Sequence, residues 1–401
     1  MVLTLNITQH QAFKKISNTK HSTHNTIILT QNIAHNTQHI FIMPVSESIQ
    51  QAAWRRLKKN KAAVFGMVVI ALALLVAILA YFIAPDDSPY ANRMTVEIGG
   101  SQPGYAQQFL LMNKEKQTGN NGFADRLLYG RNDVYTWLPI NRFQRTGDSM
   151  IVQKFIDEGI EERMAFAAAQ IPAHPVISKK FLLGTDKYGR DILSRLIIGT
   201  RVSLSVGLIA VIISLTTGIV LGALAGYFGG RTDDIIMWFI NVIWSIPTLL
   251  LVFAITFLLG KGFWQVFIAI GLTMWVTVAR IVRGQVLVVR ELEYVEAARA
   301  LGYTQGRIIF RHILPNIAGP ILVVGASNFA SAIVIEAGLS FLGVGVQPPQ
   351  PSWGLMIKEN YNFIITHNPM LALAPGFAIM LLVLAFNLLG NGLRDALNVR
   401  S

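Results

Sequence analysis

Few residues of this chain have the types and spacing that catalysis requires. The adjacent carboxylates Glu161 and Glu162 would suit general acid–base chemistry, but no positioned partner group accompanies them, and a solvated helix face explains them better. The chain has no cysteine, which excludes disulfides, thiolate metal sites and a cysteine nucleophile. It also contains no Gly-x-x-x-x-Gly-Lys-Ser/Thr loop to hold the phosphates of ATP. The sequence therefore predicts a protein that is not an enzyme, without catalytic, metal or cofactor sites.

The residues with a distinctive spacing instead indicate a docking element between two long apolar runs. The pattern is a Glu-Ala-Ala triplet, a glycine four residues after it and a closing Leu-Pro: Glu296, Ala297, Ala298, Gly302, Leu314 and Pro315. Its composition predicts a helix over residues 291–301 that ends at Gly302, and a second helix over residues 304–311. The two alanines would let a partner surface approach closely. Arg299, Arg307 and Arg311 would pair with acidic groups on that partner.

The elements that position this pattern are those of a membrane protein. Apolar residues make up 52% of the 401 and charged residues only 14%, and the mean hydropathy is +0.47. Six nearly uncharged runs are each close to the roughly 20 residues that cross a hydrocarbon core of ~30 Å. They are residues 64–84, 202–228, 235–259, 263–279, 321–342 and 370–393. We expect an all-α integral membrane protein with six transmembrane helices.

The net charge of +12 is distributed as in an oriented membrane protein. Fourteen Lys and Arg residues fall in the segments that an inside N-terminus places in the cytoplasm, against two, Lys261 and Lys358, in the short outer loops. Short cytoplasmic loops carry such an excess of basic residues. Both termini and residues 291–315 are therefore predicted to face the cytoplasm, and no nucleic-acid partner is expected.

The segments before the second apolar run divide into three parts. Residues 1–43 are predicted to be a disordered or non-native tail, because Asn, Thr, Gln and His dominate them without apolar periodicity. They hold five of the eight histidines, so metal binding is the alternative, and Met43 is a candidate start. Residues 44–84 are predicted to form an amphipathic helix on the membrane lipid, with Trp54 at the interface, followed by the first span. Residues 85–183 are predicted to be an extracytoplasmic insert with a helix over residues 156–170.

The pattern at residues 296–315 resembles the cytoplasmic coupling loop of binding-protein-dependent ABC importer permeases. Three further stretches resemble the C-type permease subunit of dipeptide and oligopeptide importers: GTDKYGRDILSRLIIGTRVS from residue 184, SFLGVGVQPPQPSWG from residue 340, and the closing AFNLLGNGLRDAL. The resemblance covers residues 50–84 and 180–398. It implies a permease core at residues 184–401, with five transmembrane helices and a coupling segment, residues 291–315, that docks on an ATPase.

The resemblance also implies partners and a function. The partners would be a homologous permease subunit in a heterodimer, two cytoplasmic ATP-binding subunits and an extracytoplasmic solute-binding protein, in the inner membrane of a bacterium. The implied cargo is di- or oligopeptides, moved with ATP that the partner subunits hydrolyse. Closely similar permeases carry nickel chelates or glutathione-like solutes, so the cargo stays open. An autonomous secondary transporter is the competing class, but it would place several ionisable groups at the bilayer midplane, or show inverted repeats, and neither is visible.

Candidate pathway residues lie within the apolar runs. Trp238 and Asn241 stand where an Arg and an Asp are common in the subfamily, and Asn241 is one candidate for the pathway. Pro247 and Pro375 should kink their helices, as membrane helices tolerate. Glu336 is the acid inside a predicted span, and such a group is a functional candidate by default. Its position toward the outer end of its helix leaves pathway lining and structural pairing both open.

Overall fold

The computed structural model describes residues 49–397, apart from residues 115–121, 148, 173, 261, 366 and 367. The tail predicted at residues 1–43 lies outside these residues. The α-helices are α1 (Ile49–Lys59), α2 (Lys61–Ile78), α3 (Ala80–Ile83), α4 (Phe123–Tyr129), α5 (Ile192–Phe228), α6 (Gly230–Trp244), α7 (Thr248–Leu259), α8 (Phe263–Val289), α9 (Glu293–Ala300), α10 (Gln305–Ile308), α11 (Ala318–Leu342), α12 (Trp353–Asn360) and α13 (Met370–Leu397). The strands are β1 (Tyr105–Asn113), β2 (Tyr135–Thr146), β3 (Ser149–Asp157), β4 (Ile160–Ala167) and β5 (Val176–Phe181).

The membrane region is helical, as predicted. Five helices, α2, α5, α8, α11 and α13, are each long and apolar enough to cross a membrane, and α6 with α7 makes a sixth crossing if the bent pair is one span. The pair is bent by 93°. A single kinked helix over residues 235–259 was expected, but α6 ends before Pro247 and α7 begins after it, because proline lacks an N–H and disfavours helical geometry in the preceding residue. Helix α13 continues through Pro375.

Helices α5 and α8 form a tightly packed parallel pair at the centre of the core. Three glycines of α5 face three valines of α8 at the same four-residue spacing: Gly218, Gly222 and Gly226, and Val278, Val282 and Val286. A Cβ on any of these glycines would lie within 2.9 Å of the opposing valine Cβ. Small residues at this spacing let two membrane helices approach closely. The pair therefore resists sliding, and its two ends move together.

The insert is a five-stranded antiparallel sheet in the order β4-β3-β2-β1-β5. The helix expected over residues 156–170 is wrong, because these residues close β3 and form β4. Met164 and Phe166 alternate along β4 and pair with Val152 and Met150 of β3, so both face the apolar centre of the sheet. Sheet pairing thus outweighs the helix propensity of the Glu- and Ala-rich sequence.

A buried ionic network joins the first turn of α5, which we call the outer end of that helix, to the residues just before it and to α12. Arg190 donates to Asp186 at 2.6 Å and to Glu359 of α12 at 2.7 Å, and Arg195 donates to Glu359 at 3.3 Å. Asp186 is 0% exposed, and Arg190 and Arg195 are each 1% exposed. Asp191 caps α5 by accepting the Ser194 N–H, and burial raises the pKa of its carboxyl. These charges explain the polar residues in the stretch that begins at residue 184.

Candidate functional site

The coupling segment lies at the C-terminal, inner ends of α5 and α8. It folds as α9, a turn at Gly302, α10 and a π-helical turn over Ile309–Ile313. The first predicted helix is confirmed, two residues shorter at its start and one at its end. Gly302 has φ +76°, and no atom lies within 4 Å of the place where its Cβ would be. The turn therefore requires glycine for its backbone conformation and not for a close approach within this chain.

One face of α9 is packed into the chain itself. Val295 and Ala298 are buried in a cluster with Tyr227 of α5 and Val286 of α8. Ala298 was expected to let a partner approach, but it faces this internal cluster instead. Residues three apart, such as Val295 and Ala298, share one helix face, whereas the adjacent Ala297 points away from that face and is exposed. The helix is thereby joined to both central helices on its inner face only.

The second half of the coupling segment adds to the same cluster. Ile308, Ile309 and Ile313 are buried there, and Leu314 packs against them, while Pro315 is exposed where the segment ends. Burial of these apolar residues helps to fix the path of the chain back to α11.

Polar and aromatic contacts within the coupling segment hold it folded back on itself. Arg307 places its guanidinium 4.2 Å from the centre of the Tyr303 ring, and Tyr303 stacks on His312 with the ring centres 5.8 Å apart. The Asn316 side chain donates to the Tyr294 hydroxyl at 3.0 Å and so ties the end of the segment to the start of α9. Arg307 is thus an internal support, although its side chain remains exposed.

The outward face of the coupling segment carries exposed apolar side chains. Leu301 and Phe310 are each 72% exposed, and Glu296 and Ala297 of α9 are also exposed. We call these four residues the docking patch. They lie outside the helices that could cross a membrane. Contiguous exposed apolar side chains mark protein or membrane interaction sites.

A cavity of about 1060 Å³ opens between α8, α11, α13 and the break that separates α6 from α7. Its polar lining consists of hydroxyls, amides and one arginine: Thr248, Thr273, Thr277, Ser327, Asn328, Ser331, Asn387 and Arg394. No carboxylate lines it among the residues that the structure describes. The cavity can therefore offer hydrogen bonds to a polar solute without an acidic group that would bind cations.

The predicted pathway residues have different surroundings. Glu336 is 1% exposed, accepts a hydrogen bond from Ser340 at 2.6 Å and does not line the cavity. Asn241 accepts from Arg280 at 3.2 Å, also away from the cavity. Pro247 sits at the break between α6 and α7, and its neighbours Ile246 and Thr248 line the cavity. Glu336 is thus paired with a hydroxyl through one carboxylate oxygen, while its other oxygen is buried without a hydrogen-bond partner among the described residues.

Sequence reasoning missed the polar lining of the cavity. Thr273 and Thr277 of α8, and Ser327 and Ser331 of α11, are hydroxyl pairs four residues apart within apolar spans. Such a spacing puts each pair on one helix face. Two polar stripes in neighbouring spans were therefore visible in the sequence.

Two family descriptions match the chain. Residues 218–401 match the binding-protein-dependent transport system inner membrane component. Residues 48–103 match the N-terminal TM domain of oligopeptide transport permease C.

Curated relatives match the same regions. The glutathione transport system permease protein GsiD of Pectobacterium atrosepticum is 44% identical over 216 residues, 54% of this chain and 71% of that protein. The oligopeptide transport system permease protein OppC of Bacillus subtilis is 41% identical over 221 residues, 55% of this chain and 72% of that protein. The dipeptide transport system permease protein DppC of Lactococcus lactis is 32% identical over 355 residues, 88% of this chain and 91% of that protein. Because the match to DppC covers 88% of this chain, it must include at least part of the insert.

Proposed function

The chain belongs to the family of binding-protein-dependent transport system inner membrane components, and from this premise we propose that it is the C-type membrane subunit of an ABC importer for di- and oligopeptides. It is a multi-pass membrane permease component. In the proposed assembly, a homologous permease pairs with it, two cytoplasmic ATPases dock on the inner ends of the pair, and an extracytoplasmic binding protein delivers the solute. The assembly resides in the inner membrane of a bacterium.

The docking patch is the observation that carries this proposal. An ATPase that closes around Leu301 and Phe310 would bury two large apolar side chains, and burial of each is worth roughly 1.5–3 kcal/mol. The exposed Glu296 lies in the first turn of α9, where its charge complements the helix dipole and is open to a basic group of the partner.

The packing of α9 supports a mechanical role for this contact. Force applied to the docking patch acts on Val295 and Ala298, which are buried against α5 and α8. The glycine–valine packing of these two helices lets them respond as one body. Helix α5 has 37 residues, so at 1.5 Å per residue it reaches about 55 Å, from the inner end to the ionic network at the outer end. ATPase closure would thereby reshape the cavity beside α8 and α11.

The proposed cargo rests on the cavity and on the relatives' names. A volume of about 1060 Å³ slightly exceeds the ~300–1,000 Å³ typical of sites for small organic ligands. Hydroxyl and amide groups in its lining suit the amide groups of a peptide backbone. The relatives named for dipeptides, oligopeptides and glutathione all carry peptides. A nickel chelate is the alternative, which competition by unlabelled peptides during uptake would distinguish.

The test is assembly and transport in a reconstituted complex. We expect the wild-type chain to copurify with the ATPase subunits and to take up labelled dipeptide only when ATP and the binding protein are present. Leu301→Ser and Phe310→Ser should each reduce copurification of the ATPases. Ile160→Ser changes a similarly exposed side chain (57% exposed) on the insert and serves as the matched control. Uptake that persists without the ATPases would instead favour an autonomous transporter.

A further inference from the structure

The short helix α4 has an apolar face that the rest of the described chain leaves largely uncovered. At 100° per residue, Phe123, Ala124, Leu127 and Leu128 fall on one side of the helix and Asp125, Arg126 and Tyr129 on the other. Phe123 is 75% exposed and Leu128 is 53% exposed. The helix belongs to the insert, between β1 and β2, so it is an apolar surface outside the spans.

Several contacts fix α4 against the outer end of the first span. The Phe123 ring lies 5.6 Å from the ring of Phe82 in α3, which continues α2. Arg126 approaches Asp87 at 3.5 Å. At the other end of the helix, Arg201 of α5 donates to the Leu127 carbonyl at 2.9 Å. These contacts hold α4 at the level where the first span leaves the membrane.

The glycine that ends α4 requires this close docking. Gly130 has φ +83°, and a Cβ there would lie 2.6 Å from the Asp87 carbonyl oxygen and 2.8 Å from the Tyr81 ring. A side chain at this position would push α4 away from α3. The position of the helix is thus set by its backbone as well as by its side chains.

The surface that continues the apolar face of α4 is the outward face of the first span. Only 17% of the apolar window of α2 is buried, the lowest share among the five straight spans. Leu72, Leu75 and Ile78 are each more than half exposed, and in a membrane such a face meets lipid. The contact between Phe82 and Phe123 makes this face continuous with α4.

We propose that α4 is an interfacial helix whose apolar face enters the outer leaflet of the bilayer and tethers the insert to the membrane. Amphipathic helices lie in this way with their apolar side among the upper acyl chains. The β-sheet that α4 connects is then held at a fixed height above the membrane. This inference is independent of the proposed coupling to an ATPase, because it concerns the opposite end of α5.

Two labelling positions on α4 test the proposal. The full-length chain contains no native cysteine, so Leu128→Cys on the apolar face and Asp125→Cys on the polar face can each carry a single fluorophore in lipid nanodiscs. Iodide in the water should quench the label at residue 128 about threefold less than at residue 125, because such a face lies roughly 5–10 Å below the headgroups. Brominated lipid should quench the label at residue 128 and not at residue 125. Ala124→Cys, also exposed on the apolar face, should behave like Leu128→Cys.

Two results would overturn the tether. Equal quenching by iodide at both positions would place α4 in water. Protection of residue 128 from both iodide and brominated lipid would mean that protein, such as a second copy of the chain, covers the face.

Discussion

The two ends of α5 are built in opposite ways. At the outer end, Asp186, Arg190 and Arg195 are nearly inaccessible, and they pair with one another and with the partly buried Glu359. At the inner end, the coupling segment is held by apolar packing and presents its docking patch to the surroundings. The outer end pairs its charges within the chain, whereas the inner end leaves large apolar side chains exposed. The difference fits an outer junction that maintains the fold and an inner one that serves the proposed ATPase partner.

The first prediction breaks the outer junction. Arg190→Met leaves Asp186 buried without its 2.6 Å partner, and removing one member of a buried ion pair costs about 3–5 kcal/mol. We expect a large fall in the thermal unfolding temperature of the purified chain in nanodiscs. Arg311→Met, at the exposed inner end, is the matched control and should change the unfolding temperature little. Equal shifts for the two variants would contradict the comparison.

The second prediction strains the inner end without unfolding the protein. Gly302→Val forces a β-branched residue into a left-handed conformation, which costs on the order of 1–3 kcal/mol. Relief of that strain would displace α9, so we expect roughly a tenfold loss of uptake, the factor that corresponds to ~1.4 kcal/mol. Binding-protein-stimulated ATP hydrolysis should fall as well, and the unfolding temperature should change much less than in Arg190→Met.

The matched control for this position is Gly302→Asn. Asparagine adopts the left-handed conformation more readily than other non-glycine residues, so this variant should retain most of the uptake. If Gly302→Val transports normally, α9 does not transmit the ATPase movement and the proposed coupling fails.

Some features of the inner end could be predicted from the sequence and others could not. Gly302 and the helix before it were predictable because local propensity and backbone conformation decide a tight turn. The inward orientation of Ala298 was not, because Ala297 and Ala298 are equally small and only the packing against α5 chooses between them.

The insert was harder to predict because non-local pairing decides its structure. Glu161, Glu162 and the alanines that follow favour a helix locally, yet Met164 and Phe166 are needed as partners for β3.

The bend between α6 and α7 was predictable as a proline effect, but its size of 93° depends on the surrounding helices. The ionic network required two distant segments to meet, since Arg190 and Glu359 are far apart in sequence.

The third prediction removes a charge from the docking patch. Glu296→Ala should lower uptake less than Gly302→Val does. It weakens assembly with the ATPases only through the loss of an exposed charged contact, which is worth about 0.2–1 kcal/mol. We expect at most a few-fold rise in the ATPase concentration that gives half-maximal assembly, and the effect should shrink at high salt. Glu161→Ala, an exposed acid of the insert, should have no effect on assembly.

The smallest effect on uptake is expected for Glu336→Gln, which changes an acid in the outer half of α11. Its carboxylate accepts from the Ser340 hydroxyl at 2.6 Å, and Ser340 in turn accepts the Val346 N–H at 3.0 Å. Glu336→Gln keeps an acceptor for Ser340, so uptake should stay within about twofold of wild type, whereas Glu336→Ala removes the acceptor and should lower stability by about 1–3 kcal/mol. Uptake and thermal unfolding measured on both variants separate the two roles. A loss of uptake in Glu336→Gln at unchanged stability would place this carboxylate on the transport pathway. The outer half of α11 would then contribute to transport as well as to the fold.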